Sequence, residues 1–189
     1  VSVTLDAETI NFLSDKNLPI RDSKKLKDQE IIDIYKVVKD KVKFNSQIVF
    51  DSQIKNNLNS IAQKTFYHHK NINNCENVII DLFTTEKSFF KYSEELGLTW
   101  PSKLTLQTKA DSIYMSVALA SIIARALFLI EMDTLNKKYQ IIFPLGAGNV
   151  IDTARLFTEK YSKQELSTFC KTTFKTFDEV IERANNNNL

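Results

Sequence analysis

Four stretches of the chain have the hydrophobic patterns of β-strands. Residues 1–6, VSVTLD, and residues 103–109, KLTLQTK, alternate apolar and polar positions, which is typical of a strand with one buried face. Residues 44–51, FNSQIVFD, predict a strand that ends at Asp51. Residues 77–83, NVIIDLF, form a short continuous apolar run, which indicates a buried strand.

Helical patterns fill the chain between these strands. They predict helices in segments 7–17, 22–42, 54–72, 86–96 and 111–138, and from residue 151 onward. Gly97 closes the fourth of these helices, as a glycine just beyond a helix end commonly does. Because strands and helices alternate, we expect an α/β fold in which helices flank a sheet.

Length and composition indicate one globular domain of ordinary size. The chain has 189 residues, of which 43% are hydrophobic and 25% charged, and its net charge of +2 weakly favours a polyanionic partner. Cys75 and Cys170 lie far apart without metal-type spacing, which predicts reduced thiols and a cytoplasmic location. The apolar run 113–130 comes closest to a membrane span, but it contains serines and Arg125. We interpret it as a buried core helix and expect no membrane partner.

Two carboxylates, Asp81 and Asp111, stand where predicted strands end. Asp81 comes at the end of the buried strand, and Asp111 lies where residues 103–109 pass into the long apolar helix. The crevice outside the strand ends is the usual ligand site of an α/β sheet. Two carboxylates that meet there repel each other, and a divalent cation would relieve that repulsion. Their hard oxygen ligands suit Mg²⁺ or Mn²⁺.

Each of these assignments has a competitor in the sequence. Asp111 is also placed to be the N-cap of the helix that follows it, a role for which aspartate is a preferred residue. Asp51 follows QIVF in the same way as Asp81 follows NVII. Spacing alone therefore leaves both the role of Asp111 and the choice between Asp51 and Asp81 open.

Basic and aromatic residues supply further candidates. Ser23, Lys24 and Lys25 would crowd the first turn of the helix in 22–42, where lysine opposes the helix dipole unless a phosphate is bound. The alternative is a solvated helix start with exposed lysines. The adjacent His68 and His69 point in two directions on a helix, so we expect two surface histidines. The pair Phe89-Phe90 is expected in the core. Trp100 is expected to anchor a loop.

Five segments of the chain follow one another in a specific order: DSKKLKDQ at 22–29, IIDLF at 79–83, TKADSIYMSVALASIIAR at 108–125, EMDTLNKK at 131–138 and LGAGNVID at 145–152. Together and in this order they resemble bacterial ribonuclease HIII, of the type 2 RNase H group. The resemblance implies an RNase H-like fold, with a mixed central sheet flanked by helices. It further implies an endoribonuclease that uses two divalent ions to cut the RNA strand of RNA–DNA hybrids.

The resemblance also implies roles for individual residues. Asp81 matches the third carboxylate of the family's metal site, and Asp111 matches the fourth, where this branch often has Glu. Ser23, Lys24, Lys25 and Lys109 are implied to face the nucleic-acid strands. Asp111 would then be both the cap of the central helix and a metal ligand.

The sequence departs from the family pattern at its start. The family's first signature, an Asp-Glu pair followed by Val-Gly and a second glycine on the central strand, is absent before VSVTL. We therefore expect a segment of a longer protein, a sheet with a cleft and two unpaired edges, and no cleavage by this chain alone. Thr173 stands where the family pattern predicts histidine.

Two other functions remain open on the sequence. The chain could be a non-catalytic module that binds hybrid or duplex nucleic acid, or another nuclease of the RNase H-like superfamily that acts on DNA. We expect a catalytic domain over residues 1–184, a disordered Asn-rich tail over 185–189, and a monomer.

Overall fold

The structure is a computed structural model, which describes residues 1–49, 60–72, 75, 77–146, 148–170, 177–179 and 182. Asp51, Thr173 and the predicted tail lie outside these residues. The chain divides into two compact units. One comprises Val1–Gln47 with Leu58–Leu127, and the other comprises Ile48–Asn57 with Phe128–Leu189.

The elements alternate as the pattern predicts, which confirms the α/β class. Within the described residues the strands are β1 (Ser2–Thr4), β2 (Lys43–Asn45), β3 (Asn77–Asp81) and β4 (Lys103–Gln107). The helices in the same part of the chain are α1 (Ala7–Asp15), α2 (Asp28–Val38), α3 (Ser60–Asn71), α4 (Glu86–Glu95), α5 (Met115–Tyr139), α6 (Val150–Thr158) and α7 (Lys163–Leu166).

Two short 3₁₀ turns correct the predicted helix starts. Residues 22–42 were expected to form one helix, but a separate turn, Ser23–Lys25, precedes α2. Asp22 closes this turn by accepting a hydrogen bond from the backbone N–H of Lys24 at 3.0 Å. Asp111 likewise lies in a turn of its own, Ala110–Ser112, and α5 begins only at Met115. The expectation that Asp111 caps the long helix is therefore wrong.

The strands form two separate pairs, both in the first unit. β1 pairs with β2 antiparallel, and β3 pairs with β4 in parallel, with Asp81 opposite Gln107. Both strand directions of the expected mixed sheet are present, but the described strands do not join into one sheet. Val78 and Ile80 bury one face of β3 against Phe89 of α4.

α5 contributes the central part of the first unit's core. Its buried residues there are 0–2% exposed and comprise Ala118, Leu119, Ile122, Ile123 and Ala126. By length and composition alone α5 could also cross a membrane, since an 18-residue window has a mean hydropathy of 1.8. Core helices of globular proteins have the same composition. The interpretation of a buried core helix holds for one face of α5 only, because 28% of that window is buried and Met115, Phe128 and Ile130 are 41–44% exposed.

The second unit has an aromatic core of its own. Tyr139, Phe143 and Phe157 are buried there, and the rings of Tyr161 and Phe169 pack against them at centroid distances of 4.8–5.7 Å. The buried Tyr139 hydroxyl donates to Glu165 at 3.1 Å, so its polar end is satisfied.

Candidate functional site

Asp81 is held at the end of β3 by the backbone of the turn that carries Asp111. The N–H of Ala110 donates to Asp81 Oδ1 at 3.0 Å, which fixes the Asp81 carboxylate beside the residue that precedes Asp111. Asp81 is exposed, whereas Asp111 is only 8% exposed. The two carboxylates are thus neighbours in different environments, one wet and one largely withdrawn from water.

The local chain direction at this point depends on Lys109. Its backbone lies in the left-handed region, with φ of 56° and ψ of 36°, which turns the chain from β4 into the Ala110–Ser112 turn. A residue with a side chain is less stable there by roughly 1–2 kcal/mol than in a right-handed conformation. Ser112 offsets this by donating from its Oγ to the Lys109 carbonyl at 2.7 Å. The result is a turn whose N–H points at Asp81.

Asp81 and Asp111 line a cavity of about 470 Å³, which we call the carboxylate cavity. Its other lining residues are mostly polar or charged: Asp22, Lys24, Lys25, Leu82, Thr108, Lys109 and Ser112. Three lysines and three aspartates, Asp22, Asp81 and Asp111, therefore line one cavity, and it lies where the parallel strands β3 and β4 end. This arrangement attracts a phosphate and a cation to the same place.

Ser23 is the predicted site residue that does not line this cavity. Its hydroxyl instead shares a hydrogen bond of 2.9 Å with the hydroxyl of Ser121 in α5. One turn further along, Arg125 of α5 binds Asp28 at 3.0 Å. These two contacts attach the Ser23–Lys25 turn and the start of α2 to α5, and so hold Lys24 and Lys25 at the cavity.

The histidine pair differs from the sequence expectation. His68 is half-buried, and its ring stacks on Phe83 at 5.3 Å, two residues beyond Asp81. Burial lowers the pKa of His68 to about 4, so its ring is neutral at physiological pH. His69 is half-buried too, and its Nε2 lies 3.0 Å from the carbonyl oxygen of Thr99. The expectation of two surface histidines is therefore wrong, because α3 turns both rings toward neighbouring aromatic residues.

The aromatic predictions are only partly correct. Phe89 is fully buried, but its neighbour Phe90 is 50% exposed, since adjacent helix residues point about 100° apart. Trp100 anchors its loop as expected, because its indole Nε1–H donates to Ser93 Oγ at 2.9 Å and its ring packs on Phe89.

The fold and the carboxylate cavity define an α/β protein with an acidic site at strand ends, bordered by lysines. Comparison with known proteins identifies the family within this class. The chain belongs to the ribonuclease HII family, whose family profile matches residues 1–177. This finding confirms the type 2 RNase H resemblance that the sequence motifs predict.

The similar proteins point to the same family. Ribonuclease HIII of Lactococcus lactis is 34% identical to the chain, over 77% of this chain and 53% of the relative. Ribonuclease HIII of Bacillus mycoides is 31% identical, over 96% of this chain and 62% of the relative. A crystal structure of Bst-RNase HIII in complex with Mn²⁺ superposes with a TM-score of 0.85 at 25% identity, covering 97% of this chain and 64% of that one. The chain thus spans between half and two thirds of the length of these relatives.

Proposed function

We propose that this chain forms most of the catalytic domain of an endoribonuclease that cleaves the RNA strand of RNA–DNA hybrids. The observation that carries the proposal is the carboxylate cavity, which Asp81 and Asp111 line together with Lys24, Lys25 and Lys109. Membership in the ribonuclease HII family supports this reaction class, and the similar proteins are themselves named Ribonuclease HIII.

The two carboxylates fit a hard divalent cation. Mg²⁺ in proteins is commonly held by one or two carboxylates, several waters and substrate phosphates, so two aspartates are a sufficient contribution from these residues. Among the described residues no group of three or more His, Cys, Asp or Glu side chains could hold an ion without such help. We assign Asp81 and Asp111 as ligands of Mg²⁺ or Mn²⁺, and the Mn²⁺ complex of Bst-RNase HIII supports that choice. Bound there, the ions would activate water and stabilise the leaving 3′-oxygen.

The chain's own residues would position the substrate. The Ala110 N–H donates a hydrogen bond to Oδ1 of Asp81 and so orients that carboxylate before any ion binds. Lys24, Lys25 and Lys109 supply positive charge for phosphate oxygens at the same cavity. Phosphate contacts fix the position of a strand, whereas recognition of RNA against DNA needs contacts to the 2′-hydroxyl.

A non-catalytic hybrid-binding module is the second candidate. The family resemblance implies four metal-binding carboxylates and matches two of them, Asp81 and Asp111, to this chain, which favours this candidate. The placement of Asp81 and Asp111 beside lysines argues against it, because a carboxylate near a phosphate weakens binding unless a cation lies between them. A nuclease of the same superfamily that cuts DNA is the third candidate. It differs from the proposed ribonuclease only in its substrate, so cleavage of duplex DNA compared with RNA–DNA hybrid would distinguish the two.

Binding of Mn²⁺, followed by the electron paramagnetic resonance signal of the free ion, tests the assignment. Asp81→Asn and Asp111→Asn should each weaken Mn²⁺ binding by about tenfold or more, because each removes one charged ligand of few. Asn at position 81 keeps an oxygen for the Ala110 N–H, so the turn should persist. Asp33→Asn on the exposed face of α2 is the matched control. Equal Mn²⁺ binding by all four proteins would refute the metal site and favour the binding module.

The cellular setting stays a prediction. Cys75 and Cys170 are both half-buried. We propose that they are reduced thiols, that the protein is located in the cytoplasm and that it is a monomer. Mass photometry of the purified chain would test the last point.

A further inference from the structure

Asp22 lines the carboxylate cavity but has no place in the proposed metal site. Its side chain is half-buried, and it shares the cavity with Asp81 and Asp111. In the part of the chain that the structure describes, no three His, Cys, Asp or Glu side chains are grouped so that they could hold one ion. Asp22 is therefore not a third ligand beside the other two aspartates. Because a carboxylate that binds no cation repels a phosphate in the same cavity, the charge of Asp22 needs another explanation.

The backbone of the Ser23–Lys25 turn holds the Asp22 carboxylate at the cavity. Asp22 Oδ1 accepts a hydrogen bond from the N–H of Lys24 at 3.0 Å, and the Asp22 carbonyl accepts one from the N–H of Lys25 at 3.0 Å. None of the ion pairs between described residues includes Asp22, so no bonded cation neutralises its charge. An asparagine could make the same side-chain hydrogen bond, since both residues are good caps. Substitution can therefore separate the capping role of Asp22 from its charge.

The charges that line the carboxylate cavity cancel only when Asp22 is counted. Lys24, Lys25 and Lys109 stand against the three aspartates. A cavity of about 470 Å³ is roughly 10 Å across, no more than the Debye length of about 10 Å at 0.1 M salt, so each charge acts on an ion anywhere inside it. Such a balanced cavity gains little from a phosphate alone or from a cation alone. A phosphate and a cation that enter together also gain their mutual attraction.

We propose that Asp22 is a specificity-determining residue, whose charge makes a hybrid phosphate and a divalent cation bind to the carboxylate cavity together rather than separately. Without this charge three lysines would stand against two aspartates, and the net positive charge would attract a phosphate without its cation and repel the cation. Hybrid bound in that way is not cleaved, so Asp22 reduces unproductive binding. The inference rests on the proposed function, because it takes hybrid phosphates and a divalent ion as the ligands of the cavity.

Asp22→Asn in the chain of residues 1–189 tests the proposal, because it removes the charge and keeps the cap. Fluorescence anisotropy of a labelled RNA–DNA hybrid in EDTA should show binding about threefold to tenfold tighter than that of the unchanged chain. Binding of Mn²⁺ without hybrid, followed by the electron paramagnetic resonance signal of the free ion, should weaken by about threefold to tenfold. A purely structural role would weaken both, so the opposite signs of the two changes identify the charge.

Two control variants separate the charge from the cap and from the position of Asp22. Asp22→Ala loses the cap as well as the charge, so it should bind hybrid more weakly than Asp22→Asn, because Lys24 and Lys25 are no longer held at the cavity. Asp6→Asn removes the same charge from the cap of α1, where Asp6 Oδ1 accepts from the N–H of Thr9 at 2.8 Å outside the cavity. This variant should change neither affinity.

The same measurements distinguish failure of this inference from failure of the proposed function. If the unchanged chain binds Mn²⁺ and hybrid, but Asp22→Asn binds hybrid in EDTA no more tightly, the inference is wrong and the proposed function stands. A loss of Mn²⁺ binding in Asp22→Asn as large as that in Asp81→Asn would also overturn it, because Asp22 would then be a ligand. If the unchanged chain binds neither Mn²⁺ nor hybrid, both proposals are refuted.

Discussion

Removal of the two lysines of the Ser23–Lys25 turn should weaken binding of RNA–DNA hybrid in a salt-dependent way. Lys24 and Lys25 line the carboxylate cavity, and their turn is fixed by Asp22 and by the contact of Ser23 with Ser121. If each lysine contacts one phosphate, Lys24→Ala with Lys25→Ala releases about two fewer counterions on binding.

The magnitude follows from the slope of affinity against salt. Each phosphate contact contributes about 0.9 to the slope of log affinity against log salt, so the double variant should lower the slope by about 1.8. Between about 50 and 200 mM salt, affinity of the unchanged protein should then fall about twelvefold more than affinity of the variant.

Fluorescence anisotropy of a labelled hybrid, titrated in EDTA at several KCl concentrations, measures this slope without cleavage. The matched control is Lys36→Ala with Lys91→Ala, which removes the same charge from exposed lysines paired with Asp33 and Glu95 outside the cavity. An unchanged slope, or an equal change in the control, would mean that Lys24 and Lys25 are solvated surface residues.

Two further predictions concern stability, both measured by urea unfolding. Burial disfavours the charged form of His68 and lowers its pKa from 6.5 to about 4. Between these pH values the unfolded chain binds the proton more readily than the folded one. The free energy of unfolding should therefore fall by up to about 3 kcal/mol as the pH drops from 6.5 to 4. His68→Phe should remove that pH dependence, and an unchanged pH dependence would contradict its origin in His68. Phe89→Ala should cost about 3–5 kcal/mol because the ring is fully buried, whereas Phe90→Ala, half-exposed, should cost about 0.5 kcal/mol; similar losses would refute the assignment of the core face of α4.

Local patterns predicted the elements well because they report local burial. Alternation located β1 and β4, the continuous apolar run located β3, and the strand-end rule indicated Asp81 and Asp111 before the structure placed both at one cavity. The choice against Asp51 came from the family resemblance, and Asp51 lies outside the described residues. The assignment of Asp81 and Asp111 as metal ligands stays a prediction.

Features that depend on distant residues could not be predicted from the pattern. Pairing of β1 with β2 and of β3 with β4 is non-local, so the sequence did not show that the described strands form two pairs. Lys109 lies in the left-handed region, which is uncommon for lysine, and nothing in the sequence before Ala110 predicts this turn. The turn directs the N–H of Ala110 at Asp81. His68 was misjudged for the same reason, since its burial depends on Phe83 fifteen positions further along the chain.

Metal-dependent cleavage of a labelled RNA–DNA hybrid by three proteins tests the central claim most directly. The first is residues 1–189, the second adds an N-terminal strand with the Asp-Glu pair of the family signature, and the third adds Asp81→Asn to the second. We predict cleavage by the second protein alone, because every 1.4 kcal/mol of lost transition-state stabilisation lowers the rate about tenfold and each missing ligand costs more than that. Robust cleavage by residues 1–189, or full activity of the Asp81→Asn protein, would contradict the proposal that Asp81 and Asp111 are part of a larger carboxylate site.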